Sequence, residues 1–244
     1  MIVLQHAKDY DQMSKIAYQT MREVLINNPN AVLGLATGST PIGLYKEMIK
    51  DYEAGNVSYK NMVSINLDEY VGLPVEHPES YRSFMNRNLF DHIDINKANT
   101  HVPNGLATDV DQACADYTAF AKAHPIDVQI LGIGGNGHIG FNEPGTPFSS
   151  NTHKVELKEN TRKDNARFFD DDLSKVPTHA ITLGLQDIMQ AKLIILLASG
   201  AGKAQAIKDM ILGPISPDCP ASILQTHPNV IVIADEAASY YIKA

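Results

Sequence analysis

The chain contains few cysteines and no long hydrophobic run. Its two cysteines, Cys114 and Cys219, lie far apart without a CxxC spacing, so we expect neither a disulfide framework nor a zinc site. No stretch approaches 18 uninterrupted apolar residues, and the first residues lack the basic segment and apolar run of a signal peptide. From these absences we expect a cytoplasmic protein that does not interact with a membrane.

Clustered positive charge is also missing. The formal net charge is -8, from 20 Lys and Arg against 28 Asp and Glu. Surfaces that bind nucleic acids or acidic membranes rely on clustered Lys and Arg, so we expect neither partner. A small anionic substrate in a local basic pocket is compatible with this charge.

The composition is that of a globular protein. Hydrophobic residues make up 44% of the 244 residues and charged residues 20%, which excludes wholesale disorder. No Ser, Pro or charge tract divides the chain and no internal repeat is visible. We therefore expect a single domain over residues 1–244.

Short runs rich in Val, Ile and Leu alternate with amphipathic segments. Such runs, without period-two alternation, are typical of a sheet that is covered on both faces. The predicted strands span residues 2–4, 31–36, 63–67, 126–133, 193–198 and 230–234, with an edge strand at 152–157. The predicted helices span residues 9–27, 42–54, 81–92, 109–123, 162–169, 203–212 and 236–242. The pattern predicts a Rossmann-like α/β fold: a doubly wound, mainly parallel sheet with helices on both faces.

Four of the predicted strands end in loops of polar residues, which begin at Thr37, Asp68, Gly134 and Ser199. In open α/β sheets, ligands bind beyond the carboxyl ends of the strands. Loops that are distant in sequence would therefore meet in one cleft, which is a layout typical of an enzyme.

The first loop, Thr37-Gly-Ser-Thr-Pro41, lies between a strand and a helix. Ser39 or Thr40 is suited to cap that helix, and Pro41 is suited to its first turn. Unpaired N–H groups and the helix dipole attract an anion there, and the hydroxyls add donors. The segment therefore predicts either a phosphate site or a helix cap alone.

Residues 132–137 spell GxGxxG after a predicted strand, which is the pattern of a dinucleotide site. That fingerprint also requires a helix to open at the glycines, and the glycines and prolines that follow prevent one. We therefore expect no NAD site. The irregular loop that remains carries His138, Asn142 and Glu143, residue types suited to general acid–base chemistry.

The segment Ser199-Gly-Ala-Gly-Lys203 resembles the end of a Walker A loop. It lacks the first glycine of that motif, and Ala204 replaces the magnesium-binding Ser or Thr, so we expect no nucleoside triphosphate. Lys203 at a helix start can still bind a simpler phosphate. The basic residues from Arg162 to Arg167 either supply a further cation or form a solvated helix face.

Asp68 and Glu69 end a predicted strand. Consecutive side chains of an extended chain point to opposite faces, so one of the two carboxylates is expected in the cleft. The pattern does not decide which one. For each candidate site residue taken singly, including His138 and Glu143, a structural role is the more frequent explanation. The convergence of four loops at one edge of the sheet is what favours a functional role.

Four segments of the chain together resemble the glucosamine-6-phosphate deaminase family. They are residues 35–41, 66–72, 132–144 and 166–169, and the run Gly137-His-Ile-Gly-Phe-Asn-Glu-Pro144 is the most specific of them. The resemblance covers nearly the whole chain in order. It implies the conversion of D-glucosamine 6-phosphate and water into D-fructose 6-phosphate and ammonia, with no metal and no organic cofactor.

The resemblance also implies roles for individual residues. Asp68 would move a proton between C2 and C1 of the opened sugar, His138 would open the pyranose ring, and Glu143 would orient and support the imidazole. Many family members have Asp where this chain has Asn136, which we expect to line the site. The implied phosphate-binding residues are Gly38, Ser39, Thr40, Arg167 and Lys203.

Two alternatives share parts of this pattern. A 6-phosphogluconolactonase-like hydrolase shares the fold and a Gly-His motif, but Phe141-Asn-Glu-Pro144 and Leu67-Asp-Glu-Tyr70 favour the deaminase. A non-catalytic regulator that binds a sugar phosphate would not need Asp68, His138 and Glu143 together. Larger family members assemble as hexamers and have an activator site at a subunit interface that draws on a longer C-terminal region. We therefore expect a monomer here, with a small homo-oligomer as the alternative.

Overall fold

The computed structural model describes residues 2–166 and 169–242 of the chain. Within them, strands and helices alternate as the sequence predicts. The strands are β1 (Ile2–Ala7), β2 (Val32–Leu35), β3 (Val63–Asn66), β4 (Asp68–Tyr70), β5 (Thr100–His101), β6 (Val128–Gly132), β7 (His153–Glu156), β8 (His179–Thr182), β9 (Leu193–Ala198) and β10 (Val230–Asp235). The α-helices are α1 (Tyr10–Asn27), α2 (Ile42–Glu53), α3 (Tyr81–Asn88), α4 (Val110–Ala123), α5 (Glu159–Ala166), α6 (Leu185–Ile188) and α7 (Ala204–Leu212).

Seven strands form a parallel sheet in the order β1-β10-β9-β6-β2-β3-β5. Helices cover both of its faces, as the two cores on either side of β9 show. Ile195 and Leu197 pack with apolar residues of α1 and α2, whereas Ile194 and Leu196 pack with those of α4, α6 and α7. The predicted α/β fold with a mainly parallel, doubly covered sheet is confirmed. Within residues 2–166 and 169–242, no helix combines the length and apolar character needed to cross a membrane.

A second, antiparallel sheet of three strands has the order β4-β8-β7. A single residue, Leu67, separates β3 of the large sheet from β4 of the small one. Its N–H donates to the carbonyl of Leu35 at 3.0 Å, and its own carbonyl accepts from the N–H of Leu183 at 2.7 Å. Sequence analysis did not predict β8 or this sheet, and the expected edge strand at 152–157 is found as β7 at the edge of it.

Three predicted helices differ from the observed ones. The helix predicted at 81–92 ends at Asn88, and a 3₁₀ helix follows at Phe90–His92. The helix predicted at 162–169 begins earlier, at Glu159, and is described as far as Ala166. Residues 236–242 form a turn and a 3₁₀ helix instead of an α-helix. There the side chain of Asp235 accepts the N–H of Ala238, which competes with helical hydrogen bonds.

The predicted cap of α2 is wrong. Pro41 occupies the N-cap position, and no side chain there accepts a helix N–H, because Ser39 and Thr40 lie before the cap. The N–H of Gly43 donates instead to the hydroxyl of Tyr10, the first residue of α1. The segment is therefore open to another use of its hydroxyls.

A glycine in β2 allows a large polar side chain to lie inside the parallel sheet. Gly34 pairs with Gln129 of β6, and a Cβ atom on Gly34 would lie 2.2 Å from Oε1 of that glutamine. Gln129 is fully buried, and its Cδ and Nε2 atoms would also lie within 2.8 Å of that Cβ atom. The glycine is a packing requirement of the sheet.

We expect Gly34→Ala to lower the free energy of unfolding by about 1–3 kcal/mol, because a methyl group there overpacks the sheet. Urea denaturation followed by circular dichroism measures the change. Gly202→Ala is the matched control, since a Cβ atom there would meet nothing within 4 Å. Equal stability of the two variants would contradict this account of Gly34.

Candidate active site

A cavity of about 420 Å³ opens at the carboxyl ends of β2 and β6. These two strands are neighbours at the point where the strand order diverges, with β3 and β5 beyond β2, and β9, β10 and β1 beyond β6. At such a switch point the two following loops separate and leave a crevice between them. The cavity therefore lies where an α/β sheet of this topology binds its ligand.

The three loops that follow β2, β6 and β9 meet at this cavity. A Cβ atom on Gly132 would lie 3.9 Å from the side chain of Thr40, and one on Gly135 would lie 3.3 Å from the carbonyl oxygen of Gly202. Five predicted or neighbouring residues of these loops line the cavity: Thr37, Gly38, Ser39, Thr40 and Lys203. The structure thus brings together three hydroxyl-bearing residues, a glycine with φ of 86° and an ammonium group.

The loop that carries Lys203 is anchored by a carboxylate at the end of β10. Asp235 accepts hydrogen bonds from the hydroxyl of Ser199 at 2.5 Å and from the N–H of Gly200 at 3.0 Å. Burial alone would raise the pKa of Asp235, but these bonds and those from two further backbone N–H groups lower it below its ordinary value. The carboxylate is therefore ionised when it holds the turn that precedes Lys203.

The structure separates the two adjacent carboxylates of β4. Asp68 lines the cavity. Glu69 points away from it and accepts the backbone N–H groups of Tyr70, Tyr81 and Arg82, at 2.8, 3.0 and 3.0 Å. Two of those N–H groups belong to the first turn of α3, where a carboxylate is favourable. Asp68 is therefore the carboxylate that can act on a bound molecule.

Burial dominates the electrostatics of Asp68. Its side chain is 7% exposed, and desolvation together with the neighbouring charge of Glu69 raises its pKa to about 8. A carboxylate with a raised pKa is a stronger proton acceptor than an ordinary one, and a pKa close to the working pH suits a general base. The site therefore provides a proton acceptor next to the anion-binding residues.

A hydrogen-bonded chain fixes the protonation of His138. Asn136 donates its amide N–H to Oε2 of Glu143 at 2.8 Å, and its Oδ1 lies 2.7 Å from Nδ1 of His138. A carboxylate only accepts, so the amide must turn its oxygen towards the ring, and Nδ1 must carry the proton. In the neutral ring, Nε2 is then the unprotonated nitrogen. Asn136 thus contacts the imidazole directly, whereas Glu143 lies 3.6 Å from Nδ1.

Opposing charges act on this imidazole. Burial lowers the pKa of His138 below its ordinary value, the carboxylate of Glu143 acts to raise it, and the ammonium groups of Lys203 and Lys158 lower it. Lys158 also forms an ion pair with Glu143, with its Nζ 3.7 Å from Oε2. The ring is neutral at pH 7 and ready to accept a proton.

The remaining predicted residues have different places. Asn142 is buried and structural, because its amide donates to the carbonyl groups of Ile139 and Leu183. Arg167 lies outside the described residues. Arg162 donates to the carbonyls of Leu173 and Val176, so it stabilises the chain after α5. In the described part of the chain, no group of three or more His, Cys, Asp or Glu side chains is placed to hold a metal ion.

The sequence pattern did not predict the aromatic wall of the cavity, which consists of Tyr70, Tyr81, Phe84, Phe141 and Phe169. The ring of Tyr70 lies 4.8 Å from that of Tyr81, 6.2 Å from that of Phe141 and 5.9 Å from that of Phe169. Alternation along β4 could have identified Tyr70, because it shares a face with Asp68. These rings line the same cavity as the buried Asp68 carboxyl.

We expect Glu143→Gln to lower the pKa of His138 further, because an imidazolium loses its anionic neighbour while burial and two ammonium groups remain. NMR titration of the imidazole resonances measures this pKa, with His138→Gln identifying the signal. The exposed Glu156 provides a control, Glu156→Gln. An unchanged titration of His138 in Glu143→Gln would show that the carboxylate does not act on the ring.

Comparisons with known proteins agree with this geometry. The sequence profile described as "Glucosamine-6-phosphate isomerases/6-phosphogluconolactonase" matches residues 6–232. The glucosamine-6-phosphate deaminase of Clostridium perfringens strain ATCC 13124 is 53% identical over 237 residues, which are 97% of this chain and 98% of the relative. That of Shouchella clausii strain KSM-K16 is 52% identical over 240 residues, 98% of this chain and 97% of the relative.

Solved structures show the same relationship. A monomeric glucosamine-6-phosphate deaminase superposes with a TM-score of 0.94 at 43% identity, over 97% of this chain and 98% of that one. A 6-phosphogluconolactonase from Leishmania guyanensis gives a TM-score of 0.79 at 18% identity over 100% of both chains, which shows a shared fold. With the profile match and half of all residues identical to full-length relatives, the chain belongs to the family of glucosamine-6-phosphate isomerases and 6-phosphogluconolactonases.

Proposed function

We propose that this chain is an enzyme that converts D-glucosamine 6-phosphate and water into D-fructose 6-phosphate and ammonia. The observation that carries this proposal is one cavity lined by Asp68, His138 and the residues suited to bind a phosphate. The relatives that are 52–53% identical over nearly the whole chain are glucosamine-6-phosphate deaminases, which supports the same reaction.

The phosphate group binds at the Gly38, Ser39 and Thr40 loop, with Lys203 as a cation. Hydroxyl and backbone N–H donors are suited to the phosphate oxygens, and an ammonium group compensates the charge of the dianion. Arg167 is a second cation in this proposal, on the resemblance to the family alone. Binding of the phosphate at one end of the cavity places the sugar carbons towards Asp68 and His138.

Ring opening is the first chemical step. Nε2 of His138 takes the proton of the C1 hydroxyl and delivers it to the ring oxygen, so the C1–O5 bond breaks and the aldehyde forms. The Asn136 contact keeps the other nitrogen protonated, which leaves Nε2 free for this task. The positive charge that forms briefly on the His138 imidazole is stabilised by the carboxylate of Glu143.

Asp68 carries the isomerisation. Its carboxylate removes the proton from C2 while the ammonium group on C2 gives a proton to the C1 oxygen, which forms an enolamine with a C1 hydroxyl. Asp68 then returns its proton to C1, which leaves a protonated imine at C2. Water adds to that imine, and the C2–N bond breaks to give ammonia and the ketone of D-fructose 6-phosphate. The residues of the cavity supply the acid and base groups that each of these steps requires. We assign no metal and no organic cofactor to the reaction.

The alternative of a lactone hydrolase has weaker support. The 6-phosphogluconolactonase of Leishmania guyanensis is 18% identical, which shows the fold alone. Hydrolysis of a lactone needs no proton transfer between two carbons, so it gives no reason for the desolvated base at Asp68. The pair of Asp68 and His138 is better explained by the deaminase reaction than by a regulator without catalysis.

We further propose that residues 1–244 act as a single domain and as a monomer in the cytoplasm. The 43% identical structural neighbour is described as monomeric, which supports the monomer. Site residues come from loops of both sheets, joined at Leu67, which supports one domain. The net charge of -8 argues against a nucleic-acid partner.

Asp68→Asn keeps the shape of the side chain and removes its ability to accept a proton. We expect substrate binding to persist while kcat falls by at least about 10²–10⁴-fold, the usual contribution of a general base. Ammonia release measures turnover, and NMR in deuterated water measures exchange at C2. Asp127→Asn is the matched control, because Asp127 is a buried carboxylate that accepts from Val32 at the start of β2. Exchange at near wild-type rate in Asp68→Asn would assign the base to another group.

Lys203→Ala should raise KM for D-glucosamine 6-phosphate about ten- to hundredfold, because it removes a charge-assisted hydrogen bond to the phosphate. Unphosphorylated glucosamine should be a very poor substrate for the wild-type protein. Lys192→Ala serves as the control, since Lys192 pairs with Asp127 away from the cavity. Similar turnover of glucosamine and its 6-phosphate would remove the phosphate site from the proposal.

A further inference from the structure

A tyrosine outside the cavity holds the phosphate-binding loop, residues 37–41, in its conformation. The hydroxyl of Tyr10 donates to the carbonyl oxygen of Ser39 at 2.8 Å and accepts the N–H of Gly43 at 2.8 Å. One hydroxyl group therefore links the backbone on both sides of Pro41. The sequence contains no motif that connects Tyr10 with this loop, since the two are about thirty residues apart.

The tyrosine is itself fixed by its surroundings. Asp9 caps α1 by accepting the N–H of Gln12 at 2.8 Å, so Tyr10 lies on the first turn of a well-capped helix. A Cβ atom on Gly43 would lie 2.1 Å from Oγ of Ser14 and 3.0 Å from the ring of Tyr10. Helix α2 thus begins in direct contact with α1. The packing of the two helices therefore determines the position of the Tyr10 hydroxyl, and its hydrogen bonds hold the loop backbone in place.

The hydrogen bond to Ser39 decides which way a peptide group faces. In a trans peptide the carbonyl and the following N–H point in opposite directions. The Ser39 carbonyl points to Tyr10, which is not part of the cavity lining, whereas Thr40 lines the cavity. The Thr40 N–H therefore faces away from Tyr10, on the side where an anion would bind. A carbonyl oxygen turned the other way would repel a phosphate.

We propose that Tyr10 is a positioning residue for the phosphate group of the substrate. Its hydroxyl holds the Ser39 carbonyl away from the cavity, so that the N–H dipoles of the loop are aligned before the anion arrives. Preorganised donors bind more tightly than donors that must reorient, because the ordering is complete before binding. This inference rests on the proposed function of the cavity as a sugar-phosphate site.

The variant Tyr10→Phe removes the hydroxyl and keeps the aromatic packing. We expect KM for D-glucosamine 6-phosphate and Kd for inorganic phosphate to rise together, each by about three- to tenfold, which corresponds to the loss of one neutral hydrogen bond. kcat should stay within about twofold of the wild-type value, since Asp68 and His138 do not contact Tyr10. Kinetics give KM and kcat, and NMR titration with inorganic phosphate gives Kd.

Tyr18→Phe is the matched control. Tyr18 lies on the same helix, and its hydroxyl donates to Asp51 at 2.6 Å, away from the cavity. We expect this control to change the unfolding midpoint and leave KM and the phosphate Kd unaltered. If Tyr10 had only a structural role, Tyr10→Phe would likewise change the unfolding midpoint and leave KM and the phosphate Kd unaltered. Wild-type affinity of Tyr10→Phe for phosphate would therefore overturn the inference.

The same measurements distinguish failure of this inference from failure of the proposed function. If the wild-type protein neither binds inorganic phosphate nor releases ammonia from D-glucosamine 6-phosphate, the proposed function is wrong and the role of Tyr10 fails with it. If the wild-type protein does both and Tyr10→Phe equals it, only the role of Tyr10 is wrong. The inference is supported if the phosphate Kd rises in Tyr10→Phe and stays at the wild-type value in Tyr18→Phe.

Discussion

Leu67 is the residue on which the geometry of the cavity depends, because its two backbone groups bond to different sheets. Its N–H pairs with Leu35 of the parallel sheet, and its carbonyl pairs with Leu183 beside the antiparallel sheet. Buried peptide groups have to be hydrogen-bonded, so the chain can pass between the sheets in only one direction. That direction turns Asp68 towards the cavity and Glu69 towards α3. The raised pKa of Asp68 originates mainly in burial at this junction.

The large sheet could be predicted from the sequence except for β5, and the small sheet could not, apart from its edge strand β7. Strands such as β9 are buried on both faces and therefore appear as continuous runs of Ile and Leu. β4 and β8 are short and mix polar with apolar residues, and their pairing joins Asp68 to Thr182 far later in the chain. No local pattern contains such a pairing, because strand preference depends on the neighbours that a strand meets.

The site likewise has features that the sequence predicts and features that only the structure explains. Asp68, His138 and Lys203 could be placed in one cleft from the shared position of their loops after parallel strands, and the structure brings them to one cavity. Their chemical roles stay predictions. The strand pattern alone left Asp68 and Glu69 open, and the resemblance favoured Asp68. The structure supplies the physical reason, because the start of α3 binds the carboxylate of Glu69. Asn136 was expected to line the site, and its contact with the His138 ring shows how an amide can fix a tautomer.

The pairing of β1 with β10 joins the beginning of the described chain to its end. Six consecutive residue pairs from Ile2↔Val230 to Ala7↔Asp235 form this ladder, and His6 lies 3.1 Å from the hydroxyl of Ser239. During translation, β1 leaves the ribosome well before β10 yet has no partner until β10 is made, which takes roughly 10 to 45 s longer at 5–20 residues per second. Contacts of such high sequence separation slow folding. Strand β1 is therefore among the last of the described strands to join the sheet, and it must avoid wrong partners in the interval.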